Sequence, residues 1–355
     1  MTKAIPPDTY YDDRSGIETD WECGMKYWWN RFEAGRGIVL RVEADYFKQG
    51  SDLHHSLSQI AEGQDYHDVR ASIVKPDDQP SLEAWMRLQA WLTIFGRWIW
   101  PEWMKENEVV KVESEMILDR PPLWLAATPD LILRHTSKAN PDLYGKLIYK
   151  EYKSTGDKSP GWVAHWPFAI QVHIGLKAVE EEMGEPIAYG QIIGLDKGYV
   201  KYGRMNHPYV WAYRTGDQWS GSYRPNWDHA PIWDYEGGLD KWIDLLGEDK
   251  AKEQFIYSAP IFLDSRMLEQ MVNSRIRRQI EIAAVKTDCI EDFSKRVQHF
   301  EQRFSHCKPS RGRECPFLEA CFNKTVQDDP LSSGLYQPRT PHHDVEIGMW
   351  EGEAD

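Results

Sequence analysis

The sequence predicts an α/β fold of the α+β kind: a central mixed sheet flanked by helices, with helical segments at both ends. Three observations carry this reading. Residues 109–118, 129–135 and 146–153 have the two-residue apolar alternation of strands. Residues 161–183 then change to helical periodicity, and 187–195 return to a strand pattern. Helical spacing also occupies 21–34 and 81–100 ahead of the sheet and 265–304 behind it.

Taken in order, residues 1–20 are acidic and polar and read as a loosely held arm. An amphipathic helix over 21–34 ends at the turn chemistry of Gly35 and Gly37. A second helix follows Gly50 through Leu53, Leu57 and Ile60. The third, over 81–100, is Trp-rich, and Pro101 is expected to end it. Asn140-Pro141-Asp142 supplies the turn between two strands, and Gly184 stops the middle helix. Residues 208–214 are strand-like, and 217–260 read as a loop-rich insertion. The organisation is then 1–20 arm, 21–108 helical, 109–216 core, 217–264 insertion, 265–326 helical with a cysteine cluster, and 327–355 disordered acidic tail.

Composition excludes several classes. Of 355 residues, 41% are hydrophobic and 28% charged, a globular balance. No apolar run reaches the roughly 18 residues of a membrane span, and the first residues lack the apolar stretch of a secretory signal. Five Cys in so long a chain make no disulfide framework. The net charge of −14 argues against a generic nucleic-acid coat protein.

The sharpest chemical feature is Asp130, followed 21 residues later by Glu151-Tyr152-Lys153 on a neighbouring strand. Period two places Glu151 and Lys153 on one face, and antiparallel pairing brings Asp130 beside them. Two carboxylates at strand ends make a hard oxygen site for Mg²⁺ or Mn²⁺. A lysine beside them can hold a water and meet charge developing on phosphorus, which suits phosphodiester hydrolysis. Taken singly, so short a pattern is more often a set of solvated strand charges.

Pro129-Asp130 and Glu151-Tyr152-Lys153 resemble the signature of the PD-(D/E)XK nuclease superfamily. Gly50 to His54, followed by Leu57, is similar to the GxxxHxxL motif of its RecB-like exonuclease branch, which includes the CRISPR-associated four-cysteine exonucleases and the AddB nuclease domain. The resemblance implies a restriction-endonuclease-like core. It also implies His54, Asp130, Glu151 and the Tyr152 carbonyl as metal ligands, and Lys153 as a catalytic group. Gln171 matches the start of the QxxxY helix motif that contacts DNA, but Gly175 stands at its tyrosine. Glu115 matches a glutamate on the preceding strand, with a plain surface charge as probable a role.

Cys307, Cys315 and Cys321 are spaced C-x₇-C-x₅-C, a soft-thiolate cluster suited to a metal or iron–sulfur site. Spacing leaves the fourth ligand open between Cys289 and Cys23. Cys23 opens C-x-x-K-Y-W-W, which resembles the branch's CxxKYYY helix. That implies Cys23, Cys307, Cys315 and Cys321 around an iron–sulfur cluster of the 4Fe–4S type, with zinc (using His306 or Cys289) as the alternative.

Charge is uneven: residues 266–324 hold 12 Lys+Arg and 8 Asp+Glu, or +4, leaving −18 elsewhere. Arg275, Arg277 and Arg278, with Arg303, Lys308, Arg311 and Arg313, are therefore candidates for a DNA-backbone surface. Trp28, Trp29, Trp85 and Trp91 read as core, whereas Trp162 and Trp166 are candidates for stacking on unpaired bases. The expectation is a divalent-metal DNA exonuclease acting on single strands or ends in recombination or repair, with a possible helicase partner. The resemblance implies the cytoplasm of a bacterial or phage-infected cell. The rivals are an endonuclease with the same site and a non-catalytic zinc protein that binds nucleic acid.

Overall fold

A computed structural model describes residues 9–340 and Glu346, apart from 34–36, 42–44, 77–78, 157–158, 198–199, 203–204, 208–212, 216–217, 221–238, 241–242, 245–246 and 309–313. The fold is α+β, as the sequence predicts. Its centre is a five-stranded mixed sheet. Strands β3 (Asn107–Val112), β6 (Leu131–His135) and β7 (Leu147–Thr155) form an antiparallel meander. Helix α8 (Ile170–Met183) then crosses over to β8 (Ile187–Asp196), which lies parallel to β7. Strand β9 (Phe255–Tyr257) closes the far edge against β8.

Alternation along the strands divides the core in two. Leu131, Leu133, Ile148 and Tyr152 face helices α3 (Asp45–Ala61) and α5 (Gln79–Ile94). Ile132, Leu147 and Tyr149 face α8 and a second sheet of β1 (Tyr10–Asp13), β4 (Met116–Arg120) and β5 (Leu123–Ala127). Gly184 ends α8 in a left-handed conformation, φ 68°.

A third apolar cluster joins the ends of the chain. Helix α2 (Gly24–Arg31) packs Trp28 and Trp29 against the last turns of α10 (Ser265–Glu291), helix α11 (Phe293–His299) and the cysteine segment. Strand β2 (Ile38–Leu40) pairs with β10 (Tyr336–Pro338).

Several boundaries differ from the sequence reading. The arm is not loose beyond residue 9. β1 pairs parallel with β5, and Asp13 caps helix α1 (Arg14–Glu22) by accepting from the Gly16 N–H. The tail is not free at its start, since Tyr336 is buried and Arg339 pairs with Glu346. Pro101 does not end its helix. A π turn at Phe95–Ile99 leads into α6 (Trp100–Met104), where Pro101 occupies a first-turn position that needs no N–H donor. Residues 109–118 are two strands in two sheets, separated at Glu113, whose φ of 39° turns the chain. The end of the supposed insertion supplies β9 and the buried Leu239 and Ile243. Residues 208–212 lie outside the described part, as does most of 217–247. Among the described residues no helix is long and apolar enough to cross a membrane.

Candidate metal centre

Asp130 stands just before β6, where the β6–β7 register places it opposite Glu151. Its Oδ2 accepts the Tyr152 N–H at 2.6 Å, and its Oδ1 lies 3.0 Å from Nδ1 of His54. His54 arrives from the opposite layer, on α3, where Leu53 and Leu57 bury the helix and leave the imidazole over the strand end. Desolvation lowers the His54 pKa, but the charge and hydrogen bond of Asp130 raise it by more, so the net shift is upward.

Glu113 completes a group that the sequence reading missed. Donor atoms of His54, Glu113 and Asp130 all lie within 4.8 Å of one another, an arrangement that could hold a metal ion. The Glu113 N–H bonds the Asp130 carbonyl at 3.2 Å, and its positive φ turns the side chain back toward the site. Partial burial, then the Asp130 charge, raises its pKa. The signal lay in Val-Glu-Ser-Glu: the motif resemblance pointed to Glu115, but the strand breaks at Glu113. Glu115 instead acts on the Tyr11 hydroxyl of the second sheet.

Glu151 is buried on the α8 side of β7, with Lys153 two residues on, as the alternation predicts. The Lys153 ammonium lies 2.8 Å from Glu151 Oε1, and the Tyr149 hydroxyl donates to Oε2. Both residues lie close enough to affect His54 electrostatically. An ionised carboxylate offers about four lone-pair sites, so an oxygen that accepts a hydrogen bond can also meet a cation.

Gln171 is half-buried in the first turn of α8. It shares a helix face with Gly175, and because a crossover helix runs antiparallel to its strands, it is displaced toward the Lys153 end of β7. Trp162 also belongs here: its ring packs on Gly194, the register partner of Lys153.

Other candidates fall elsewhere. Trp166 is only 6% exposed and packs within the core beneath α8, so it offers no face for a base. Beside it, Phe168 is 76% exposed and Phe262 is also open to solvent. The His173 ring ties their segments together, bonding the Pro167 carbonyl at 2.9 Å and accepting the Asp264 N–H at 3.1 Å.

Arg275 is a correction: it is 2% exposed and buried between Asp12 and Asp20, over the Tyr27 ring, so it presents no charge to a DNA backbone. Its role is to hold β1 and α1 onto α10. Arg278 is half-buried and bonds Asp20 and the His299 carbonyl. Arg277 lines the adjoining cleft, which mixes Asp20, Glu281 and Glu301 with its arginines. Arg303 bonds the Trp21 carbonyl, Lys308 pairs with Glu314, and Arg311 and Arg313 lie outside the described residues.

None of the five cysteines forms a disulfide. Cys23 separates α1 from α2, and its Sγ approaches the Glu301 carbonyl at 3.7 Å. The adjacent Gly24 permits this contact, because a Cβ there would lie 2.9 Å from the Glu301 nitrogen. Cys315 N–H bonds the Cys307 carbonyl, and Trp29 Nε1 donates to Cys321 Sγ at 3.2 Å. Burial raises the thiol pKa of Cys307, Cys315 and Cys321, the last to about 12, and Cys23 adds to each shift. Cys289 lies in the same apolar cluster, where burial raises its pKa and Arg296 lowers it. The alternative ligand His306 is exposed and bonds Ser305.

Comparison with known proteins finds no family model that matches the chain and no curated protein that matches it.

Proposed function

We propose that the protein is a divalent-metal-dependent deoxyribonuclease, an exonuclease of the RecB-like PD-(D/E)XK type acting on single strands or DNA ends. The observation that carries this reading is the meeting of His54, Glu113 and Asp130 within 4.8 Å of one another, with the Glu151–Lys153 pair on the neighbouring strand β7. The antiparallel meander, crossover helix and parallel return strand support this reading by mounting the candidate residues on adjacent strands.

His54, Glu113, Asp130, Glu151 and the Tyr152 carbonyl would hold one or two Mg²⁺ or Mn²⁺ ions. The mixed set favours Mn²⁺, to which an imidazole is better suited. A bound ion would polarise the phosphoryl oxygens and acidify water. Lys153 would hold the attacking water and stabilise negative charge on phosphorus as the phosphodiester P–O bond breaks. Gln171 and Trp162 would touch the strand beside the site. The product class suits recombination or repair, with a helicase as a fitting partner.

The four thiols Cys23, Cys307, Cys315 and Cys321 would hold a structural 4Fe–4S cluster. Cys23 contributes to the upward shift of each of the other three thiols, which supports this set, whereas Cys289 contributes to none of them. Metal binding would displace the thiol protons, so loading of this site would strengthen as pH rises.

The test is digestion of end-labelled single- and double-stranded DNA and closed circular single strands with Mn²⁺ or Mg²⁺, with metal analysis of anaerobically purified protein. We expect nucleotide release from linear DNA only, lost in Asp130→Ala and Lys153→Ala. Cleavage of circles would make it an endonuclease. Unchanged cleavage in both variants would remove the assigned site, and colourless, zinc-loaded protein would remove the cluster.

A further inference from the structure

Tyr149 is a buried residue with a polar group aimed at the candidate site. It lies on β7 two residues before Glu151, so both side chains point toward α8. The ring is fully buried, and its hydroxyl donates to Glu151 Oε2. Glu151 Oε1 takes the Lys153 ammonium at 2.8 Å. Each carboxylate oxygen therefore has its own donor, which fixes the plane of the group.

One wall of the slot that holds Tyr149 is a glycine on the facing helix. A Cβ at Gly175, on α8, would stand 2.7 Å from the Tyr149 hydroxyl oxygen and 3.0 Å from two ring carbons. A Cβ at Gly190, the register partner of Tyr149 on β8, would meet Leu176 first, at 3.1 Å, and the Tyr149 ring only at an ordinary 3.4 Å. The contact at Gly175 is closer than real Cβ atoms tolerate. No larger residue fits there without moving the hydroxyl away from Glu151. The absence of a side chain at 175 is thus the complement of the tyrosine on the strand.

We propose that Tyr149 is the positioning residue for Glu151. Seated against Gly175, it sets the carboxylate orientation in which Glu151 receives a divalent cation beside Lys153. This rests on the reading of Glu151 as a metal ligand. Outer-shell hydrogen bonds of this kind change metal affinity by about 10–100-fold when removed.

Tyr149→Phe removes the hydroxyl and leaves the ring to fill the slot. Mn²⁺ affinity of the full-length protein is measured by calorimetry, with thermal unfolding and DNA cleavage followed on the same samples. The expected result is Mn²⁺ binding weakened by about tenfold with an unchanged unfolding midpoint. In a Glu151→Gln background the same change should have no further effect, because the hydroxyl acts through that carboxylate. Gly175→Ala should reproduce the loss by displacing the hydroxyl. Mn²⁺ affinity within twofold of the parent in Tyr149→Phe, or losses additive with Glu151→Gln, would overturn the assignment. Failure of the nuclease reading looks different: the parent then binds Mn²⁺ but cuts no DNA, while the Tyr149→Phe effect on binding persists.

Discussion

Lys150 shows how one residue can impose a pH dependence on the whole fold. On the opposite face of β7 from Glu151, it is buried over the Trp103 ring at 4.8 Å and bonds Gln191. Burial pushes its pKa down to about 8 from an ordinary 10.5. Between those values the unfolded chain binds more protons than the folded one, so this residue makes stability rise with pH across that window. Below it, the full penalty applies, on the order of 3 kcal/mol before the Gln191 bond and ring contact offset part of it. We expect Lys150→Met to be more stable than the parent near pH 7, with the advantage shrinking toward pH 10. A difference in unfolding midpoint that is constant from pH 7 to 10 would refute this. At the same scale, Asp130, Glu151, Lys153 and His54 were legible in the sequence because strand alternation and a short helix motif place them. Glu113 was not, because its position depends on a left-handed turn that periodicity does not encode. Arg275 misled for a related reason: a charged side chain on a helix looks solvated until its partners arrive from residues 12 and 20, more than 250 positions away.

At the scale of elements, periodicity identified α3, α5, α8, α10, β6, β7 and β8, all long enough for a face to repeat. It failed at short pieces whose stability is tertiary. β1 and β10 contribute four and three residues, and each exists by pairing with a distant strand. The segment between β7 and α8 was also read by composition, which favoured tryptophan. The structure instead buries Trp166 and leaves Phe168 outward at the start of α8, near Gln171. Stacking on an aromatic is worth about 1–3 kcal/mol per base. Phe168→Ala should therefore weaken binding of a single-stranded oligonucleotide by about tenfold or more, with little effect on duplex binding or unfolding. Equal losses on both substrates would point to a general electrostatic contact instead.

For the whole molecule, the cysteine set matters most. Cys23 stands near the start of the described chain and its three companions near the end, with Trp29, Phe293, Phe300 and Phe317 packed around them. A cross-link closing so long a loop restricts the unfolded chain strongly in theory. We expect Cys23→Ser to lose bound iron and to expose residues beyond α10 to limited proteolysis, while the β3–β8 sheet stays protected. Cys289→Ala should keep both iron and resistance. If Cys23→Ser retained its iron and resistance, the proposed ligand set would be wrong.

The pairing of β2 with β10 has a consequence for biosynthesis. About 300 residues separate the two strands, and at roughly 5–20 residues per second a ribosome takes about 15–60 seconds to deliver the second after the first. Throughout that interval Tyr27, Trp28, Trp29 and Ile38 have emerged while Phe317 and Tyr336, against which their cluster closes, do not yet exist. The sheet meander and its crossover helix can assemble during synthesis. The Trp-rich beginning must wait for the end, so its apolar face stays uncovered until the last strand has emerged.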